Sequence, residues 1–380
     1  MKKIIIYYIF VFLYYIFRIF PIQKNKIFIQ SFNGKGYGDN PKYIVEEILR
    51  QGLDFVIVWA VRQKFSSNFP LAVKTVPYKS IRSVYEEVTA KIWIDNCRKQ
   101  LYVRKRKGQY YIQTWHGCVS LKKIEKDAEQ NLSAYYVKHA KYDSTLANLF
   151  ISDSKFMSDL YRSSFWYNGE ILECGSPRYD ILINTIPSIR EKVRNKFQIA
   201  DNIKIILYAP TFRDTFCYDV YNINYELLLG AIEKHTNEPW ILLIRMHPNF
   251  SNNSNILTYN EKVLNASYYD DMQELLLASD ILITDYSSCM HEFALMSKPV
   301  FLYIKDYEQY QNERNFYFDM FSLPFPCAVN NDELIQKILS FDSTLYLNSL
   351  NEFYLKVGIF KNGDASKKVV DRITLEIEKQ

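Results

Sequence analysis

The sequence predicts an α/β protein built from two doubly wound domains that face a cleft. Three observations carry this. Short, continuously apolar runs alternate with helical stretches, the pattern of parallel strands covered on both faces. The 380 residues exceed what one core usually serves. A polar stretch at 184–202 reads as a helix and turn leading into a fresh strand, which makes it the best domain boundary.

Taken in order, the first-half strands are expected at 27–30, 55–60, 92–94, 110–114, 149–151 and 171–173. A helix over 42–51 has Pro41 in its first turn. Second-half strands are expected at 204–209, 240–245, 281–284 and 300–303, separated by helices at 226–235, 272–278 and 288–296. The expected organisation is a helix over 1–22, a first domain over 23–185 and a second over 186–380. In such sheets ligands bind at the C-terminal ends of the strands.

The opening MKKIIIYYIFVFLYYIFRIFP puts two lysines before an uncharged run from 4 to 17, interrupted by Arg18 and stopped by Pro21. A helix of that run is about 21 Å long, short of a hydrocarbon core of roughly 30 Å. No small-residue cleavage site follows. Its tyrosines suit the headgroup interface, so it reads as an interfacial anchor on a membrane surface. A full span through Ile22 and a buried helix of the first domain are the alternatives.

Composition narrows the function classes. A hydrophobic content of 48% excludes a disordered chain, and a net charge of +5 is too small to argue for nucleic acid. The basic cluster Arg98, Lys99, Arg104, Lys105, Arg106 and Lys107 is either a solvated loop or an attraction for anionic headgroups. Six scattered cysteines with no C-x-x-C suggest neither zinc nor disulfides. No H-E-x-x-H, G-x-x-x-x-G-K-[ST], G-x-S-x-G or Asp-x-Asp occurs, so metal hydrolysis, P-loop ATP hydrolysis and serine-esterase chemistry lack their signatures.

Four segments carry chemistry. In YYIQTWHGC (110–118) a strand ends in Trp-His-Gly, with Gly117 expected to permit a sharp turn; in WILLIRMHPN (240–249) another ends in Arg245-Met-His247-Pro. Two histidines at strand ends, one per domain, suit acid–base work. In ILITDYSSCMH (281–291) a strand runs through Thr284 and Asp285 to Ser287 and Ser288 at a helix start, either a phosphate site or simple capping. SFNGKGYGDNP (31–41) holds Gly34, Gly36 and Gly38, three of only 11 glycines, and reads as a flexible ligand loop or a tight turn.

Together with FISDSKFMSDLY, ECGSPRYDIL, ILYAPTFRD, KPVFLYIKDYEQY and NGDASKKVVDRI, these segments occur in one order over about 24–374 and resemble the CDP-glycerol glycerophosphotransferases of teichoic acid and capsular polymer synthesis. The resemblance implies a GT-B-type fold at the cytoplasmic membrane face, peripheral or monotopic. It implies CDP-glycerol as donor, a lipid-linked saccharide or growing polymer as acceptor, and no metal or other cofactor. It makes His116 the base on the acceptor hydroxyl and His247 the group at the donor's pyrophosphate and departing CMP. Arg213, Arg245, Thr284, Asp285, Ser287, Ser288 and Arg314 would bind the donor, and Gly34, Gly36 and Gly38 would form the acceptor loop. The family's Arg-Gly reads Arg314-Asn315 here, which bears on Arg314's placement and on the polyol. The alternatives are a ribitol-phosphate or nucleotide-sugar transferase of the same fold, and a membrane-bound scaffold without turnover.

Overall fold

The computed structural model describes residues 2–66, 68–213, 218–246, 259–313 and 315–379. The chain divides into two compact units. One comprises Met1–Gly117, Ile124–Asp180 and Phe360–Gln380, and the other Cys118–Lys123 and Ile181–Ile359.

The first unit holds a seven-stranded sheet of β1 (Gln23–Ile29), β2 (Val56–Val61), β3 (Val73–Pro77), β4 (Ala90–Asp95), β5 (Tyr110–Gln113), β6 (Leu149–Ser152) and β7 (Glu170–Glu173), ordered β3-β2-β1-β4-β5-β6-β7 and parallel throughout. Side chains of the inner strands alternate between two buried faces, which is why those strands read largely as apolar runs. Ile27, Ile29, Ile57 and Trp59 pack with Ile44, Val45 and Ile48 of helix Asp39–Arg50 and with Val369, Val370 and Ile373 of helix Ala365–Glu378. Phe28, Val58, Ala60 and Trp93 pack with Val84 and Val88 of helix Ile81–Thr89 and with Tyr14 of helix Lys2–Ile16.

The second unit repeats the plan with β8 (Lys204–Ala209), β9 (Trp240–Ile244), β10 (Val263–Asn265), β11 (Ile281–Thr284), β12 (Val300–Tyr303) and β13 (Cys327–Ala328). The order is β10-β9-β8-β11-β12-β13, again all parallel. It is the doubly wound order in which ligands bind where the strand order reverses, beside the first strand.

Two expectations about the ends of the chain change. The last helix, expected in the second domain, belongs to the first unit. The Asp180 carboxylate accepts from the backbone N–H of Ala365 (3.0 Å) and Ser366 (2.7 Å), holding the helix start while its apolar face fills the core. The N-terminal helix likewise belongs to the first unit through one face, on which Tyr7, Phe10, Tyr14 and Phe17 are at least partly buried at helical spacing. Its other face, with Ile5, Tyr8, Ile9, Phe12, Tyr15 and Ile16, is exposed. Among the described residues no helix is long and apolar enough to cross a membrane.

The basic cluster also divides. Arg98 and Lys99 are buried, Arg98 against Glu125 and Asp143 and Lys99 against Glu87 and Asp95, so they are not a solvated surface.

Candidate active site

In the first unit the loops at the C-terminal ends of β1, β4 and β5 converge with the turn after β7. Left-handed backbone concentrates there: Phe32 (φ 44°), Asn33 (φ 56°), Asp39 (φ 60°) and Trp115 (φ 52°). Such residues cost about 1 kcal/mol or more each and persist where surrounding bonds fix them. Asn96 supplies several of those bonds. Its Oδ1 accepts from Phe32 N (2.8 Å), and its Nδ2 donates to Asp39 Oδ1 (3.1 Å) and Ser31 Oγ (3.3 Å). Asn40 Nδ2 donates to the Trp115 carbonyl (3.2 Å), and Gln113 Oε1 accepts from Trp115 N (2.9 Å). The sharp turn before His116 therefore falls on Trp115, not on Gly117. Of the three glycines in that loop, Gly34 (φ +83°) and Gly36 (φ +99°) are left-handed, while Gly38 is extended.

His116 lies half-buried with its Nδ1 2.5 Å from the Asn96 carbonyl oxygen. A carbonyl only accepts, so this contact places the proton on Nδ1 and leaves Nε2 with a free lone pair. The ring stacks on Trp115 (centroids 4.5 Å apart) and meets the Phe32 ring edge-on at 5.5 Å. Burial pushes the imidazole below its ordinary value, against the opposing pull of the Asn96 carbonyl and the Asp39 charge. Arg178 donates from Nη1 to the His116 carbonyl (2.9 Å) and pairs with Asp39, tying the backbone at His116 to the Asp39 carboxylate. Asp39, Asn96 and Arg178 were not singled out from the sequence. Asp39 and Arg178 stood inside motifs already quoted, whereas Asn96 had only its place just past an apolar strand.

In the second unit Thr284, Asp285 and Arg213 come together. Thr284 Oγ1 donates to the Ala209 carbonyl (2.7 Å), tying the end of β11 to that of β8. Asp285 Oδ1 accepts from the N–H of Thr211 (2.8 Å) and Tyr286 (2.6 Å), and Oδ2 pairs with Arg213 Nη2 (2.8 Å). Arg213 Nε also pairs with Asp306 Oδ2 at 2.6 Å, and the guanidinium lies over the rings of Tyr310 (4.7 Å) and Tyr286 (4.9 Å). Burial opposes its charge, but the two carboxylates outweigh this and hold it above the ordinary arginine value. Arg213, expected to bind the donor, is 6% exposed and braces three loops.

The polar groups left over lie beside this brace. Ser288 is the N-cap of the short helix Cys289–Ala294, yet its side chain makes no capping bond; Ser287 Oγ accepts from Cys289 N at 3.4 Å. Capping alone does not account for both serines. Arg245 follows β9, and among the described residues its buried Nη1 has no hydrogen-bond partner. Burial depresses its pKa, with Asp271 and Cys289 among the groups opposing that, and its backbone N–H donates to the Tyr208 carbonyl (2.8 Å) near the end of β8. His247 and Arg314 fall outside the described residues. Among the described residues no group of three or more His, Cys, Asp or Glu side chains could hold a metal ion.

Two parallel doubly wound sheets, each gathering polar residues at the C-terminal ends of its strands, put the chain in the GT-B-like fold class. The chain belongs to the CDP-glycerol:poly(glycerophosphate) glycerophosphotransferase family, which it matches over residues 12–375. It is 31% identical over 366 residues to the teichoic acid poly(glycerol phosphate) polymerase of Bacillus spizizenii, covering 93% of each chain. It is 30% identical over 373 residues to the polymerase of the same description from Staphylococcus epidermidis. That match takes in 94% of this chain and 52% of the other, so the chain spans about half the length of that relative. The wall teichoic acid polymerase TagF, in a variant soaked with CDPG, superposes with a TM-score of 0.84 at 28% identity, covering 98% of this chain and 94% of that one.

Proposed function

We propose that this protein transfers glycerol phosphate from CDP-glycerol to a hydroxyl of a lipid-linked saccharide or growing polymer, releasing CMP, in teichoic acid or capsular polymer synthesis. The observation that carries the reading is the His116–Asn96 contact, which leaves Nε2 free to act as a base. The acceptor oxygen attacks the glycerol-bearing phosphorus and its proton passes to Nε2. The bond from that phosphorus to the bridging oxygen breaks, and its electron pair leaves with CMP. Phosphoryl transfer asks for positioning and charge stabilisation more than covalent help. Ser287, Ser288 and Arg245 Nη1, which has no hydrogen-bond partner among the described residues, are the groups for the diphosphate, on loops braced by Arg213, Thr284 and Asp285. His247 and Arg314 join the donor site on sequence resemblance alone, and the loop of Gly34, Gly36 and Gly38 takes the acceptor side. A panel of CDP-glycerol, CDP-ribitol and UDP-sugars with a saccharide acceptor tests the reading. CMP release with an added glycerol phosphate in the product mass is expected, and UMP or UDP release overturns it.

The same reading places the protein peripherally on the cytoplasmic face of the cell membrane. It is supported by the exposed apolar face of helix Lys2–Ile16 and by Arg18 at its end. An interfacial helix binds through buried apolar area plus attraction to anionic lipid. Flotation with phosphatidylglycerol vesicles checks it: Ile9→Glu combined with Ile16→Glu should abolish co-flotation and spare CMP release on a soluble acceptor. A doubly substituted protein that floats like the parent overturns the membrane reading.

A further inference from the structure

We infer that the N-terminal helix positions the base, Tyr14 acting through Glu87 and Lys99 on the segment whose Asn96 carbonyl orients His116. The inference rests on His116 being the base of the proposed reaction.

Tyr14, in helix Lys2–Ile16, is 1% exposed, and its hydroxyl donates to Glu87 Oε2. Glu87 Oε1 pairs with Lys99 Nζ at 2.8 Å, and the same Nζ pairs with Asp95 Oδ2 at 3.1 Å. The rings of Phe28, Trp93 and Tyr111 surround this cation at 5.4 to 5.6 Å. Such a group has few alternative positions: moving Lys99 would strand two carboxylates away from water. Lys99 N also donates to Asp143 Oδ1 (2.8 Å). The segment from Asp95 to Lys99 is thus held at both ends, and between them stands Asn96, the hydrogen-bond acceptor for His116 Nδ1.

The alternative use of this region is a ligand pocket. A cavity of about 20 Å³ opens beside Tyr14, Glu87, Asp95 and Lys99. That volume holds about one water and no substrate group. The network is therefore read as scaffolding, and it joins the helix proposed to meet the membrane to the proposed base.

Tyr14→Phe tests this, because it keeps the ring and removes only the donor to Glu87. The expected result is a fall in kcat for CMP release of about ten-fold, since small misplacements of a catalytic group are costly. The KM for CDP-glycerol should hold, and the acid limb of the kcat profile should rise toward pH 6.5 as the imidazole gains water. Glu87→Gln, which keeps an acceptor for Tyr14 and removes the charge facing Lys99, should move kcat and the acid limb the same way and stands in if Tyr14→Phe fails to fold. Parent-like kcat and acid limb in the folded variants, whatever their melting temperatures, overturn the inference. His116→Ala is the separate control: retained turnover there refutes the base assignment itself, while a dead His116→Ala beside a parent-like Tyr14→Phe refutes only the positioning role.

Discussion

His116 Nδ1 and the carbonyl oxygen of Asn96 meet at 2.5 Å, which leaves Nε2 as the nitrogen for the proposed role as base. Burial is the largest influence on this imidazole and depresses its pKa. The depression has a definite consequence for rate. A general base works in its neutral form, and a lowered pKa keeps His116 neutral at pH values where an ordinary histidine near 6.5 is already protonated. The acid limb of CMP release against pH is expected to have its midpoint below 6.5. His116→Ala should lower kcat by about 10²–10⁴ with donor binding retained. A midpoint at or above 6.5 contradicts the burial argument, and steady-state rates across the pH range measure it directly.

Arg213 predicts a stability effect. Its guanidinium pairs with Asp285 and Asp306 out of contact with bulk water. Removing one partner of such a set leaves the others buried and uncompensated, at a cost of about 3–5 kcal/mol. Arg213→Ala should therefore shift urea unfolding of the second unit by an amount in that range. Arg213→Lys should recover part of the loss, since one ammonium cannot reach both carboxylates in the same geometry. An Arg213→Ala protein as stable as the parent would show that the pairs contribute nothing.

The glycine loop separates cleanly by conformation. A Cβ at Gly34, where φ is +83°, would lie 2.9 Å from Cβ and Cγ of Tyr78. Gly38 is extended and a Cβ there meets nothing within 4 Å. Gly34→Ala is expected to lose about 1–2 kcal/mol from the backbone conformation alone, with the Tyr78 clash in addition. Gly38→Ala should be neutral or stabilising by about 0.4–1 kcal/mol, through reduced freedom of the unfolded chain. Thermal unfolding of the two proteins side by side decides between them.

These sites also show which features the sequence made legible. Central strands such as β8, β11 and β12 are buried on both faces, so burial wrote them as apolar runs that match the expectation closely. The strands that went unseen are β3, β10 and β13, all at sheet edges. An edge strand packs less, and β3 mixes buried Val73 and Val76 with exposed Lys74 and Pro77, leaving no apolar run to read. His116 was legible because a polar residue that follows an apolar strand stands out. Its partner was not, because a backbone carbonyl is present at every position whatever the residue. The brace on Arg213 was hidden for another reason: Asp306 lies 93 residues further on, and nothing local marks it as the second carboxylate.

His291 supplies a pH prediction of opposite emphasis, about stability. It is 1% exposed, stacked on Phe353 at 5.3 Å and tilted against Phe325 at 5.5 Å, and among the described residues neither ring nitrogen has a hydrogen-bond partner. Burial pushes its pKa down to about 3. In the unfolded chain the same group titrates near 6.5, so between those two values the unfolded state binds a proton that the folded state refuses. Stability must then fall as pH drops through that window, by up to about 1.4 kcal/mol per pH unit, and the group contributes no pH dependence above it. His291→Leu keeps an apolar filling of similar size and removes the titration. Relative to the parent, the variant should gain roughly 2 kcal/mol on going from pH 7.5 to pH 5, a shift of about one and a half units below 6.5. Urea unfolding at the two pH values reads this difference, and parallel pH dependence in the two proteins would mean that His291 takes up its proton in the folded state.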